Sequence, residues 1–208
     1  MRATIQTIGR SVHATNPDRG VNAITAMAHV VLAYDAYHRD LARRVHPLVG
    51  VPTCNVGVIR GGSTANAVPD MCEIFLDRRM IPGENPSVVQ QEMTDIAAAI
   101  SPLIHPAEVI IRDFQVSDWF ASTVESPLAK AFQASLLADG IDPEPIGYLP
   151  GSDAKHLKNV VKPGGEMIIF GPGSYEVAHA YDEYVEVDAV NQTARVLARF
   201  IEMTLLDG

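Results

Sequence analysis

The sequence predicts an α+β protein in two parts, and three observations carry that reading. Runs of period two and stretches of period near 3.6 follow one another along the 208 residues. Over residues 2–116 their order is β-α-β-β-α-β, the split βαβ or ferredoxin-like unit. That order predicts an antiparallel sheet with both helices on one face. The apolar fraction, 47%, is ample for real cores at this length.

Arg2 to Ile8 alternates and predicts the first strand. Gly9 to Gly20 is rich in turn residues and predicts a loop. From Val21 an amphipathic helix is expected, with Ile24, Met27, Ala28, Val31, Leu32, Tyr34 and Ala42 on its apolar side and an end near His46-Pro47. Asn55–Arg60 and Cys72–Met80 predict two strands joined by Gly61–Asp70, and Pro82-Gly83 closes the second. Asn85 followed by Pro86 is a helix start, and Val89, Met93, Ile96 and Ile100 mark one face as far as Ser101-Pro102. Glu108–Val116 completes the first part. In the second part, Ser126-Pro127 opens a helix with Leu128, Phe132, Ser135 and Leu136 inward, stopped by Gly140. Pro145–Leu149 and Glu166–Phe170 predict strands, and Asp153–Asn159 a helical turn or two. Asp188 is expected to cap a last helix with Val190, Ala194, Leu197 and Ile201 as its apolar stripe.

Composition bounds the function. A formal charge of −9 argues against nucleic acid or an anionic membrane as partner. Two cysteines, Cys54 and Cys72, make neither a disulfide framework nor a zinc knuckle and suit a reducing cytoplasm. No stretch reaches membrane-spanning length, and Met1–Arg10 lacks the apolar region of a signal peptide.

Four places could carry chemistry. After the apolar run Met167–Phe170, Gly171-Pro172-Gly173 breaks the chain sharply, and His179 follows between two alanines with Asp182 and Glu183 beyond. Small neighbours leave that imidazole room, and the carboxylates can orient it or share a cation with it. His13 lies on the loop after the first strand, where it serves either as a loop histidine bonded to backbone or as a donor to a developing oxyanion. Asn66 can cap a turn. Period two sets Cys72, Ile74 and Leu76 on one face and Glu73, Asp77 and Arg79 on the other. There Arg79 either pairs with Asp77 or clamps a carboxylate.

Taken together, Gly9–Ala23, Gly61-Gly62…Asn66-Ala-Val-Pro69, Asp77-Arg-Arg79…Pro82-Gly83-Glu84, Gly151-Ser152-Asp153-Ala154 and Phe170-Gly-Pro-Gly173…Ala178-His179…Asp182-Glu183-Tyr184 resemble one family in order and spacing. It is the dinuclear zinc aminoacylase and exopeptidase family that includes acetylornithine deacetylase, succinyl-diaminopimelate desuccinylase and glutamate carboxypeptidase. The resemblance implies a ferredoxin-like lid and dimerisation domain over residues 2–116, followed over 117–208 by the C-terminal portion of an α/β zinc-hydrolase catalytic domain. It implies that His179 is a metal ligand and that His13 is the lid histidine that stabilises the tetrahedral intermediate across a homodimer. Asn66, Arg79, Gly151 and Ser152 would hold the substrate, an N-acyl amino acid or small peptide, and two zinc ions are expected in the intact enzyme. Asp153 is expected to cap a helix rather than bind metal. The family's first segment supplies the remaining zinc ligands and the general base, and nothing in this chain resembles it. The chain is therefore expected to be the C-terminal segment of a zinc amidohydrolase, inactive by itself; the alternative is a non-catalytic dimerisation or binding module. Asp153 and His156, spaced i, i+3 at a helix start, are the strongest local candidates to join His179 in a makeshift three-ligand metal site.

Overall fold

The four strands expected in the first part pair into one antiparallel sheet in the computed structural model, which describes residues 1–117, 120–148, 152–157, 166–178 and 180–206. They are β1 (Arg2–Ile8), β2 (Thr53–Gly61), β3 (Met71–Arg79) and β4 (Glu108–Gln115), ordered β2-β3-β1-β4 across the sheet. In this register Ile5 stands opposite Ile74 on one side and Ile111 on the other. The two-residue period places Ala3, Ile5 and Thr7 on the same face as Cys72, Ile74 and Leu76, and all six are buried. Helices α1 (Ala23–Leu41) and α2 (Pro86–Ile104) cover that face with Met27, Val30, Tyr34, Val89 and Met93. Burial of each such side chain contributes about 1.5–3 kcal/mol. The Tyr34 hydroxyl donates to the Met93 carbonyl at 2.7 Å, so the buried phenol is satisfied and the two helices are tied together.

Local chemistry sets the helix starts. The Asn22 side chain accepts from the Ile24 and Thr25 N–H groups, and Asn85 accepts from Ser87 with Pro86 at the first helical position. Helix α1 stops at Leu41, earlier than the expected end near His46, because 42–47 turn away and His46 instead bridges to Gly50. Its inward face is also narrower than expected. Ala23, Met27, Val30, Tyr34 and Leu41 point in, while Ile24 and Leu32 are left exposed. A single stripe at 3.6 residues per turn cannot hold all of the apolar positions.

The chain forms two compact units, Met1–Ser117 and Asp118–Gly208. In the second, α3 (Pro127–Ala138) begins at Ser126, whose hydroxyl accepts from the Ala129 N–H. A short α4 (Ala154–Leu157) and a long α5 (Val187–Ile201) follow. Phe132 of α3 meets Phe170 and Phe200 edge-on, with ring centroids 4.9 and 5.3 Å apart.

Three expectations fail in this unit. Residues 145–148 and 166–170 form no ladder with any described residue, so neither expected strand is seen among them; Leu149 lies outside the described residues. Met167 is pinned by a side chain instead: the Ser122 hydroxyl donates to its carbonyl at 2.6 Å and accepts from its N–H at 3.2 Å. The cap position of α5 is Glu186 rather than Asp188, and its side chain makes no capping bond. The stripe Val190, Ala194, Leu197, Ile201 faces outward, whereas Val196 is fully buried. The periodicity was real, but which apolar face turns inward depends on what packs against it.

Candidate functional site

The loop after β1 is closed by backbone bonds before any side chain is considered. Arg10 and Val21 exchange N–H···O bonds of 2.9 Å in both directions, and the Arg10 guanidinium donates to the Arg19 carbonyl at 2.7 and 3.1 Å. A Cβ on Gly9 would stand 2.0 Å from the Val21 carbonyl oxygen, so this closure requires glycine. The β2–β3 loop is then zipped onto it. Gly9 donates to the Asp70 carbonyl, Val68 to Val12 and Ala14 to Asn66, at 2.7 to 2.9 Å, and His13 bridges to Ala67. Two loops distant in sequence thus become one small platform beside the start of α1.

His13 and Asn66 are brought together on that platform, both exposed. The His13 ring does not fold back onto distant backbone. Its Nδ1 lies 2.9 Å from the Thr15 hydroxyl and 3.3 Å from the Thr15 N–H. The Asn66 side-chain oxygen accepts from the Thr64 hydroxyl at 2.6 Å, a bond between two side chains rather than a cap on the backbone of the turn.

Arg79 stands apart from this pair. It ends β3, nine residues that rise about 26 Å at ~3.3 Å per residue from the loop end of the strand. Its guanidinium grips Asp77 at 2.7 Å from Nε and 3.1 Å from Nη2, and Asp77 is shared with Arg2 at 3.3 Å. The outward face expected for Arg79 is the face it occupies, and the surface pair with Asp77 is the contact it makes.

Its neighbour Arg78 is the residue that the sequence reading passes over. Arg78 is fully buried, on the helix face of β3. It forms an ion pair with Glu84, donates from Nε to the Tyr37 hydroxyl at 3.2 Å and stacks its guanidinium over the Tyr37 ring at 5.6 Å. Glu84 also accepts from Arg44 at 2.9 Å and from the Ile81 N–H at 3.0 Å. Arg44 reaches Glu92 at 2.8 Å, and Tyr37 donates to Glu92 at 2.7 Å. Burial pushes the Tyr37 phenol up to about 12. Burial also acts to raise the Glu92 carboxyl, but hydrogen bonds from Arg44 and Tyr37 outweigh it and hold the group below its ordinary value. Its inner members, Arg78 and Glu84, are buried and serve the fold, while Arg44 and Glu92 reach the surface. A buried arginine beside two outward-facing charges gives period two as its only sequence signal.

A His-x-Asp triplet occurs in α1 as His38-Arg39-Asp40 and also escapes the motif reading. It serves the helix end: His38 Nδ1 accepts from the Cys54 N–H at 3.2 Å, and Asp40 pairs with Arg43 at 3.2 Å.

In the second unit the Ser152 hydroxyl accepts from the Ala154 N–H at 3.2 Å, so Ser152 and not Asp153 supplies the capping oxygen at α4. Asp153 and His156 are exposed there. Gly151 and His179 lie outside the described residues. The turn before His179 is as expected, with Gly173 at φ +89, a conformation that favours glycine. Pro172, Gly173, Ser174, Val177, Glu183 and Tyr184 line a cavity of about 300 Å³ beside it. Among the described residues no three His, Cys, Asp or Glu side chains form a group that could hold a metal ion. They do not by themselves fit a zinc site, which needs at least three protein ligands. No helix among them is long and apolar enough to cross a membrane.

Residues 1–104 match the family model of the peptidase dimerisation domain, the M20 type, and the chain belongs to that family. Among its curated relatives is the acetylornithine deacetylase of Myxococcus xanthus, 29% identical over 204 residues, a match covering 96% of this chain and 51% of the relative. The acetylornithine deacetylase of Edwardsiella ictaluri is 31% identical over 204 residues, covering 95% and 50%. A crystal structure of a tripeptidase from Staphylococcus aureus superposes with a TM-score of 0.71 at 24% identity, covering 97% of this chain and 50% of that one. That likeness shows the fold. The chain spans about half the length of the curated relatives it matches.

Proposed function

We infer that this chain is the dimerising and C-terminal portion of a metal-dependent amidohydrolase that removes an acyl group or a terminal residue from an N-acyl amino acid or small peptide. The observation that carries this reading is the platform of two zipped loops, which holds His13 and Asn66 outward on a packed sheet-and-helix unit. Membership of the dimerisation family and the acetylornithine deacetylases among its relatives support it.

Residues 2–116 are the lid, and a second copy of the chain pairs with it. The edge strand β2 supports that pairing, because Val58 and Ile59 are exposed on it and Ile24 and Leu32 are exposed on α1. In the homodimer, His13 donates a hydrogen bond to the oxygen that becomes negative as the amide carbonyl is attacked. The exposed side chain of Asn66 holds the substrate, and Arg79, once exchanged from Asp77, binds its carboxylate bidentately. Gly151 and Ser152 line the substrate path. His179 is this chain's ligand to zinc, and the remaining ligands are proposed to lie in the part of the relatives that this chain does not match. Zinc, when bound, supplies an activated water and polarises the carbonyl.

The test is a chimera joining this chain to the portion of the Myxococcus xanthus enzyme that it does not match. The chimera is expected to hydrolyse N-acetylated or N-succinylated amino acids. The 208-residue chain alone is expected to show no turnover and only weak zinc binding by calorimetry. In the chimera His13→Ala is expected to lower kcat by about 10²–10³ with little change in KM, the effect of losing one oxyanion donor. A chimera active at an undiminished rate with His13→Ala would overturn the role given to His13. Tight stoichiometric zinc binding by the chain alone, with turnover abolished by His179→Ala, would overturn the incomplete metal site.

A further inference from the structure

A side chain that stabilises an oxyanion must present a proton, and a neutral imidazole has only one to give. Which ring nitrogen carries it is set by what the other nitrogen meets. At His13 the structure answers that question through Thr15. The Thr15 backbone N–H can only donate, and it lies 3.3 Å from Nδ1. The Thr15 hydroxyl lies 2.9 Å from the same nitrogen. The Asn16 side-chain amide, also only a donor, reaches the Thr15 oxygen at 3.3 Å. The Thr15 hydroxyl can either donate to Nδ1 or accept from it, since its oxygen keeps a second lone pair beside the Asn16 contact, so the backbone N–H decides the direction. The backbone donor makes Nδ1 an acceptor, the Thr15 hydroxyl then donates to the same nitrogen, and the ring proton lies on Nε2. The loop adds a brace, since the Asn16 backbone N–H donates to the His13 carbonyl at 3.0 Å.

We propose that Thr15 is a positioning residue, which fixes the His13 imidazole as its Nε2–H tautomer with that N–H directed away from the loop toward a substrate oxygen. Asn16 supports it by orienting the Thr15 hydroxyl. The benefit to catalysis rests on the reading of His13 given above. The tautomer itself does not, and can be measured without activity.

The experiment is nitrogen-15 NMR of the full 208-residue chain labelled at histidine, at about pH 8.5, above the ordinary imidazole range. The His13 signals are assigned by their loss in His13→Gln. Nδ1 is expected in the unprotonated range, displaced toward the position of a hydrogen-bonded nitrogen, and Nε2 in the protonated range. In Thr15→Val, which keeps the shape and removes the hydroxyl, Nδ1 should move toward the unbonded position. The ratio of Nε2–H to Nδ1–H tautomers should fall about fivefold, the size of one exposed hydrogen bond. Thr15→Ser should restore both. A proton on Nδ1 in the parent chain overturns the proposal, and so do unchanged His13 signals in a folded Thr15→Val. If the signals behave as expected but His13→Ala leaves the chimera's rate intact, the tautomer lock stands and the catalytic role of His13 falls.

Discussion

Arg78 and Arg79 are adjacent in sequence and share a side-chain type, yet their environments are opposite. A guanidinium with no exposure survives only because Glu84, Tyr37 and a backbone carbonyl occupy its donors. Arg79 sits in water and pairs with Asp77, an arrangement worth about 1 kcal/mol or less. Arg78→Ala is therefore expected to lower stability by about 3 kcal/mol or more, since it empties a packed site and removes a partner from Glu84. Arg79→Ala should change stability by about 0.5 kcal/mol. Urea midpoints of the two variants are the measurement, and equal losses would show the face assignment of β3 to be wrong. The alternation Cys72, Ile74, Leu76 placed Arg79 outward correctly. The same count places Arg78 inward, but a charged residue on the core face is set aside by hydrophobicity, and only the positions of Glu84 and Tyr37 make it tolerable.

At the scale of elements, the sheet ends in two edges of different character. On β4 a register shift against β1 accompanies Asp113 at φ +53, and Arg112 and Asp113 are exposed. Charges and an irregularity of this kind discourage a second chain. On β2, Val58 and Ile59 stand exposed along the outer strand. Pairing of two copies through β2 is thus the association we expect, and a single charge there should break it. In sedimentation at micromolar concentration the chain should run as a dimer and Ile59→Lys as a folded monomer. A parent chain that stays monomeric would refute the pairing, and a dimeric Ile59→Lys would move it elsewhere. The succession of elements and the antiparallel sheet with both helices on one face were legible from turns and periodicity, because a β-α-β-β-α-β succession leaves few ways to bury one sheet face. Which edge is open to a partner was not, because edge exposure is a property of the assembled sheet.

Over the whole molecule, apolar burial is divided unevenly. The first unit buries a continuous layer from Ala3 to Met93 between sheet and helices. Among the described residues of the second unit only Phe132 and Val196 are buried apolar side chains, while Ile146, Leu197 and Ile201 are exposed. Backbone bonds backed by so little packing open readily. Hydrogen exchange should show amides of α3 and α5 exchanging at least tenfold faster than those of β1, β3 and α1. Equal protection in the two units would contradict this. The sequence by itself determined the α+β class, the order of the first six elements, the helix starts at Asn85 and Ser126, and the family, since these depend on neighbours a few residues apart or on motifs in fixed order. Only the tertiary structure decided that His13 meets Asn66 on two zipped loops, that Arg79 lies a strand's length away and that Arg78 is buried. It also decided that 166–170 form no ladder among the described residues and that the stripe of α5 faces outward. Each of these is a pairing between segments distant along the chain, and local periodicity says which side of an element is apolar but not what stands against it.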